Sequence, residues 1–178
     1  MDRRSVLGGS GVLLAAQLLP REAGARARTS AITPDDGKFM QMAIDQAKEG
    51  DYPFGAVIVH GGRVLALGRN STKRNSDPTA HAEMMAIRAF LNGHEPDDLK
   101  ETTLYSSGEP CVMCMGAIIW CGIKRLVFAA TIAQLSTRIG QIDITAKQIA
   151  NATAFSNIEI AGGFMSAPAL DLFPKDKP

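Results

Sequence analysis

Thr102-Thr103-Leu104-Tyr105-Ser106 opens a stretch that passes through Glu109-Pro110-Cys111-Val112-Met113-Cys114 and Gly116-Ala117-Ile118-Ile119-Trp120 to reach Arg125-Leu126-Val127-Phe128-Ala129-Ala130. Its two ends are short apolar runs of strand length. Its centre, residues 111–120, reads as a buried helix, with Pro110 placed where the first helical turn tolerates proline. The same alternation extends upstream. Residues 81–91 follow a helical pattern, and Gly55-Ala56-Val57-Ile58-Val59 is a β-branched buried strand. Gly61-Gly62 turns that strand into a second one at residues 63–67, and a polar loop covers residues 70–78. Further upstream, Thr33-Pro34-Asp35-Asp36 reads as a helix start, with Thr33 as cap and the acidic pair at the positive end of the helix. Phe39, Met40, Ala43, Ile44 and Ala47 continue it until Gly50. Downstream the signal weakens to a mixed stretch ending near Ala154, then a short strand at residues 158–161. Strands alternating with helices imply an α/β layered domain.

The 178 residues, 46% hydrophobic and 21% charged, suit one domain with a single sizeable core. The N-terminus stands apart. Arg3-Arg4 precedes an apolar run from Val6 to Leu19, Pro20 ends it, and Ala25-Arg26-Ala27 has small residues at signal-peptidase spacing. This is the plan of an export leader resembling the twin-arginine type, and the run is too short to span a bilayer comfortably. The expected division is an export signal over residues 1–27, a linker over 28–34 and the main domain over 35–178. The expected address is then periplasmic, or cytoplasmic if the leader does not function. No stable membrane insertion is expected after leader removal. Removing the leader takes away Arg3, Arg4, Arg21, Arg26, Asp2 and Glu22, which moves the formal charge from +1 to −1. A protein that grips a phosphate backbone carries a basic excess or stripe. Only the cluster Arg69, Lys73 and Arg74 is present, so a nucleic acid partner is disfavoured.

The chemistry lies at the starts of two predicted helices, in His81-Ala82-Glu83 and Pro110-Cys111-Val112-Met113-Cys114. One imidazole and two thiolates supply three ligands to tetrahedral zinc and leave a fourth position for water, the layout of a catalytic site. Cys111 and Cys114 share one helix face, and the helix N-terminus favours their thiolates. Glu83, two residues past the histidine, can reach that water without being a ligand, take its proton and hand it to a leaving amine. A Cys-x-x-Cys alone reads equally as a redox pair, a disulfide or half of a structural zinc site. Joined to Pro110 and to Glu83, it matches the zinc deaminase signature.

From Phe39 to about Ala130 the chain resembles the cytidine deaminase superfamily, in the branch holding guanine deaminases and tRNA adenosine deaminases. Asp77-Pro78-Thr79-Ala80-His81-Ala82-Glu83 is common to both. Three features lean toward the guanine deaminases: Phe54 in Pro53-Phe54-Gly55-Ala56-Val57, Trp120 closing Gly116-Ala117-Ile118-Ile119-Trp120, and Ile139-Gly140-Gln141-Ile142-Asp143, a degraded copy of their C-terminal acidic segment. The resemblance implies a three-layer α/β/α sandwich around a mixed sheet of about five strands, a zinc cofactor and a homodimer. It also implies substrate contacts at Asn70, Phe54, Trp120 and Asp143. Phe54 and Trp120 would wall a flat heterocycle, with plain core packing the alternative for Trp120. Asn70 would meet a base edge, or be a turn residue. Asp143 would take the N–H donors of guanine, or be a solvated loop residue.

The expected reaction is hydrolytic deamination of a guanine-type purine base or nucleoside, releasing ammonia. A tRNA-specific adenosine deaminase is the alternative, as is a deaminase of another aminated heterocycle. The methionines Met84, Met85, Met113 and Met115 read as packing, Cys121 as a small core residue, and His60 and His94 as solvent-facing. Glu109 precedes the proline as it does in relatives, and the backbone at Gly108 and Glu109 is a candidate for orienting substrate. The tail, with Gly162-Gly163 and two prolines, is too broken for the long closing helix of relatives, which predicts a more open pocket.

Overall fold

The computed structural model describes residues 27–175, so the predicted leader lies outside the described residues except for Ala27. Every strand expected from the sequence forms: β2 (Gly55–His60), β3 (Arg63–Arg69), β4 (Thr103–Gly108), β5 (Arg125–Ala130) and β6 (Glu159–Gly162). A sixth, β1 (Arg28–Thr29), comes from the segment read as a linker and pairs parallel with β6. Two residues without apolar alternation carry no strand signal of their own; the unpaired edge of β6 provides it. The sheet order is β1-β6-β5-β4-β2-β3. β2 runs antiparallel to both β3 and β4, while β4, β5, β6 and β1 are parallel. Gly61 and Gly62 both have positive φ, 54° and 75°, as a tight two-residue hairpin turn demands.

Alternation along the strands builds two cores. Ala56, Ile58, Leu104 and Leu126 face α2 (Ala82–Leu91), α3 (Val112–Trp120) and the short α5 (Ala146–Asn151). Val57, Val59, Tyr105 and Val127 face α1 (Asp36–Lys48) and the chain end around Ala169 and Phe173. Side chains two apart share a face and adjacent ones do not, so one sheet carries helices on both sides. This is the three-layer α/β/α sandwich. Gly68 allows a close approach between layers: a Cβ there would lie 2.1 Å from the Ala82 carbonyl oxygen, so α2 rests directly on β3.

One local reading needs correction, and two are refined. First, α1 begins at Asp36, and Thr33 does not cap it by its side chain; instead the Thr33 N–H donates to Asp36 Oδ2 at 2.7 Å. Asp36 is fully buried and also accepts from Arg125 Nη1 and Nη2 and from the Tyr105 hydroxyl. Second, the mixed stretch after β5 contains α4 (Ile132–Leu135) and α5, each opened by a threonine–glutamine capping box: Thr131 with Gln134, and Thr145 with Gln148. That pattern is a readable start signal, but both helices are too short for periodicity to reveal. Third, the tail forms only α6 (Ser166–Leu170) and then buries Phe173, whose ring meets Phe54 edge-on at 5.1 Å between centroids. Among the described residues no helix is long and apolar enough to cross a membrane.

Candidate active site

Because β3 and β4 both oppose β2, they point the same way and deliver the N-termini of α2 and α3 to one edge of the sheet. His81 is the residue capping the start of α2 and Cys111 that of α3, both with extended backbone; Cys114 lies in the first turn of α3. The ligand atoms of His81, Cys111 and Cys114 all lie within 4.8 Å of one another, and Cys111 Sγ is 3.6 Å from His81 Nδ1. All three cysteines of the chain are free thiols, which removes the disulfide alternative in this structure.

The donor set is electrostatically unfinished in a way that suits a divalent cation. The Cys111 thiol is pulled down to about 4, first by the Cys114 thiol and then by the His81 ring, against burial. The His81 ring is in turn pulled up by that Cys111 contact. Cys114 is driven the other way, by its contact with Cys111, by burial and by the Glu83 carboxylate. Two adjacent buried sulfurs cannot both ionise without a positive partner. Zinc bound by thiolate and imidazole removes that conflict. The residues present therefore fit zinc, with His81, Cys111 and Cys114 as its ligands.

Glu83 points from the first turn of α2 into the same floor. It is 4% exposed, and its Oε1 accepts from the Ser106 hydroxyl of β4 at 2.9 Å. Burial pushes its carboxyl above the ordinary carboxylate range, and the Cys111 charge acts in the same direction. A buried carboxyl held in this way beside the three donors is placed to accept and return a proton.

Above this floor opens a cavity of about 900 Å³. His81, Cys111 and Glu83 form its base; Tyr52, Phe54, Met113, Ile139 and Ile142 give it apolar walls; and Asn70, Glu109 and Gln141 add polar groups. Of the four expected substrate contacts, Phe54 and Asn70 line the cavity. Asn70 is only 3% exposed. Its Oδ1 accepts from the Thr72 N–H at 3.3 Å and from the Thr72 hydroxyl at 2.9 Å, which orients the carboxamide and leaves its NH₂ as the group available to a ligand.

Trp120 and Asp143 are not brought there. Trp120 is 79% exposed and leans on Phe155, with ring centroids 4.9 Å apart. The reason is helical length: nine residues beyond Cys111, at ~1.5 Å per residue, place it at the far end of α3. Asp143 is exposed, and the cavity is met instead by its neighbours Gln141 and Ile142. Met113, expected to be packing, lines the cavity. Glu109 has an unexpected place. It is 7% exposed and lines the cavity, while its two carboxylate oxygens accept backbone N–H groups from Ile132 and Ala146.

Comparison with known proteins adds names to this geometry. Residues 33–130 match the family described as the cytidine and deoxycytidylate deaminase zinc-binding region. The chain is 45% identical over 111 residues to a tRNA-specific adenosine deaminase of Buchnera aphidicola subsp. Baizongia pistaciae, covering 58% of this chain and 67% of that protein. It is 43% identical over 97 residues to the guanine deaminase of Bacillus subtilis, covering 52% of this chain and 62% of that one. The chain thus spans about two thirds of the length of these curated relatives. A solved structure of guanine deaminase from Nitrosomonas europaea aligns with a TM-score of 0.59 at 25% identity, over 93% of this chain and 96% of that one.

Proposed function

Because the chain belongs to the cytidine and deoxycytidylate deaminase family, with zinc as its cofactor, we propose that it hydrolyses the exocyclic amine of a guanine-type purine base or nucleoside and releases ammonia. One observation carries the reading: Glu83 and the three-donor set lie together at the floor of an apolar-walled cavity that also presents the Asn70 amide. Zinc supplies the Lewis acidity that makes water a nucleophile near neutral pH. The rest is done by side chains. Ser106 holds Glu83 Oε1, leaving Oε2 to accept a proton and return it to the departing amine. Phe54 and the facing aliphatic residues sandwich the ring and exclude water. Thr72 fixes Asn70 so that its NH₂ donates to a ring acceptor.

A small substrate is favoured by how the cations of the 69–74 cluster are engaged. Arg69 is paired with Glu49 and Arg74 with Asp51, while Lys73 sits over the Tyr52 ring. Paired cations contribute little to the counterion release that drives nucleic acid binding. The second reading, adenosine deamination within tRNA, is favoured by the 45% identity to the Buchnera enzyme. The homodimer and the periplasmic address belong to the same proposal, to be checked by sedimentation and by cell fractionation.

The deciding experiment presents zinc-loaded protein with guanine, guanosine, adenosine, cytosine and tRNA, and follows ammonia and inosine. Ammonia from guanine or guanosine, abolished by Glu83→Ala with zinc content unchanged, supports the proposal. Inosine in tRNA, bound with steep salt dependence and with no turnover of free bases, overturns it.

A further inference from the structure

We propose that Glu109 is a positioning residue that straps the 136–145 segment into place as a wall of the substrate cavity, and so sets which ring the site accepts. The proposal rests on the deaminase reading above, but its structural half does not depend on which base is the substrate.

Glu109 sits between β4 and the metal-ligand turn, with its own N–H donating to the Ala130 carbonyl at 2.7 Å. That bond joins the ends of β4 and β5. From this fixed root the side chain divides its two oxygens. Oε2 accepts the N–H of Ile132, the first residue of α4, at 2.8 Å; Oε1 accepts the N–H of Ala146, the first residue of α5, also at 2.8 Å. The capping threonines satisfy a different donor of each helix: Thr131 Oγ1 accepts from Gln134 N and Thr145 Oγ1 from Gln148 N, both at 3.2 Å. Carboxylate and threonine thus share the exposed N–H groups that every helix start leaves over.

The segment between these helices puts Ile139, Gly140, Gln141 and Ile142 on the cavity. Both of its flanks end on one buried carboxylate. Both bonds are short, at 2.8 Å, and the residue that accepts them is only 7% exposed. With each oxygen already engaged by a backbone donor, Glu109 acts through the wall it holds. The Ser136–Thr145 segment contains no strand; between its ends Ile139 packs on the α1-side core and Arg138 Nη1 donates to the Lys175 carbonyl at 2.6 Å, and Glu109 fixes the two flanks.

Two substitutions test this. Glu109→Gln keeps one carbonyl acceptor and turns an NH₂ toward the other N–H, which releases one anchor. Glu109→Ala releases both. In zinc-loaded protein, hydrogen exchange of amides in residues 132–146 is expected to accelerate roughly tenfold or more, while α2 and α3 keep wild-type protection and zinc stays at wild-type content. With guanine as substrate, KM is expected to rise about tenfold in Glu109→Gln and further in Glu109→Ala, with kcat held within about threefold, since Glu83 and the ligands are undisturbed.

Loss of protection across α2 and α3, loss of zinc, or a fall in kcat at constant KM overturns the proposal, as does unchanged exchange. If Glu109→Ala does not fold, Glu109→Gln carries the test, and the same local exchange and KM signature is required of it. Failure of the guanine-type reading shows separately, as no ammonia from guanine with the wild type. The exchange pattern then decides the strap on its own.

Discussion

Asp36→Ala is expected to remove about 3–5 kcal/mol of stability and to leave turnover unchanged. The carboxylate is 0% exposed and accepts four hydrogen bonds: 2.8 and 2.7 Å from Arg125, 2.7 Å from the Tyr105 hydroxyl and 2.7 Å from the Thr33 N–H. Removing it deprives a guanidinium that is only 12% exposed of its ion partner and leaves the buried Tyr105 hydroxyl without its acceptor. For a domain stable by about 5–15 kcal/mol, that is about a fifth of the total or more. Arg125 opens β5, and the strand runs about 16 Å, at ~3.3 Å per residue, before reaching the site edge at Ala130. Catalytic geometry is therefore expected to survive in whatever fraction stays folded. Urea titration followed by far-ultraviolet circular dichroism, at fixed zinc, measures the loss. Asp36→Ala with Arg125→Met is expected to cost less than the two single changes combined, because no uncompensated charge remains. The pH dependence has a definite sign. Burial alone would raise the Asp36 carboxyl, but Arg125, the Thr33 N–H and Tyr105 hold it well below the ordinary carboxylate range. Its contribution is therefore complete above the unfolded value of ~3.9 and is lost as pH falls below that toward the lower folded value. A loss under 1 kcal/mol at pH 7, or strict additivity in the double variant, would refute the reasoning.

Other expectations can be checked directly. Gly68→Ala puts a Cβ 2.1 Å from the Ala82 carbonyl oxygen; α2 must retreat and carry His81 and Glu83 away from the cysteines, so zinc content by elemental analysis and kcat should fall together. Glu83→Gln should lower kcat by about 10²–10⁴-fold while zinc stays bound, as read by ammonia release alongside elemental analysis. Thr72→Val removes the hydroxyl that holds Asn70 Oδ1 at 2.9 Å, and should raise KM several-fold with little change in kcat. Trp120→Ala should leave kcat/KM within about twofold, since a side chain 79% exposed at the far end of α3 touches no part of the cavity.

What the sequence made legible follows from the range of its signals. The strands at 55–59 and 125–130 and the helices at 81–91 and 111–120 announce themselves through composition and periodicity within their own residues. The metal set was legible because each ligand starts a helix and the spacing Cys111-x-x-Cys114 is local. Features that rest on partners distant in sequence were hidden. β1 exists through β6, some 130 residues away. Asp36 looked like a helix-start acid, and its purpose depends on Arg125 and Tyr105. Resemblance offers Trp120 the pocket and composition offers it the core, and neither holds, because the length of α3 carries it to an exposed end.

Glu109 shows how the two kinds of information combine. Beside Pro110 it reads as an incidental member of a metal motif, because its partners, Ile132 and Ala146, contribute only backbone N–H groups and therefore no residue-type signal at all. The expected base-reading carboxylate, Asp143, lies outside the cavity, and Glu109, which lines it beside Glu83, has both oxygens engaged by backbone N–H groups. Selectivity in this site then rests on shape and on donors: the Asn70 amide held by Thr72, and the apolar walls of Phe54, Met113, Ile139 and Ile142. Such a pocket discriminates by ring acceptors and fit, since a heterocycle that fails to meet the Asn70 donor leaves a nearly buried N–H unpaired. Substrates should accordingly rank by whether an acceptor faces Asn70 when the amine-bearing carbon faces Glu83. Number of ring N–H donors should matter less, which makes comparison of guanine with an analogue lacking that acceptor more informative than comparison with cytosine.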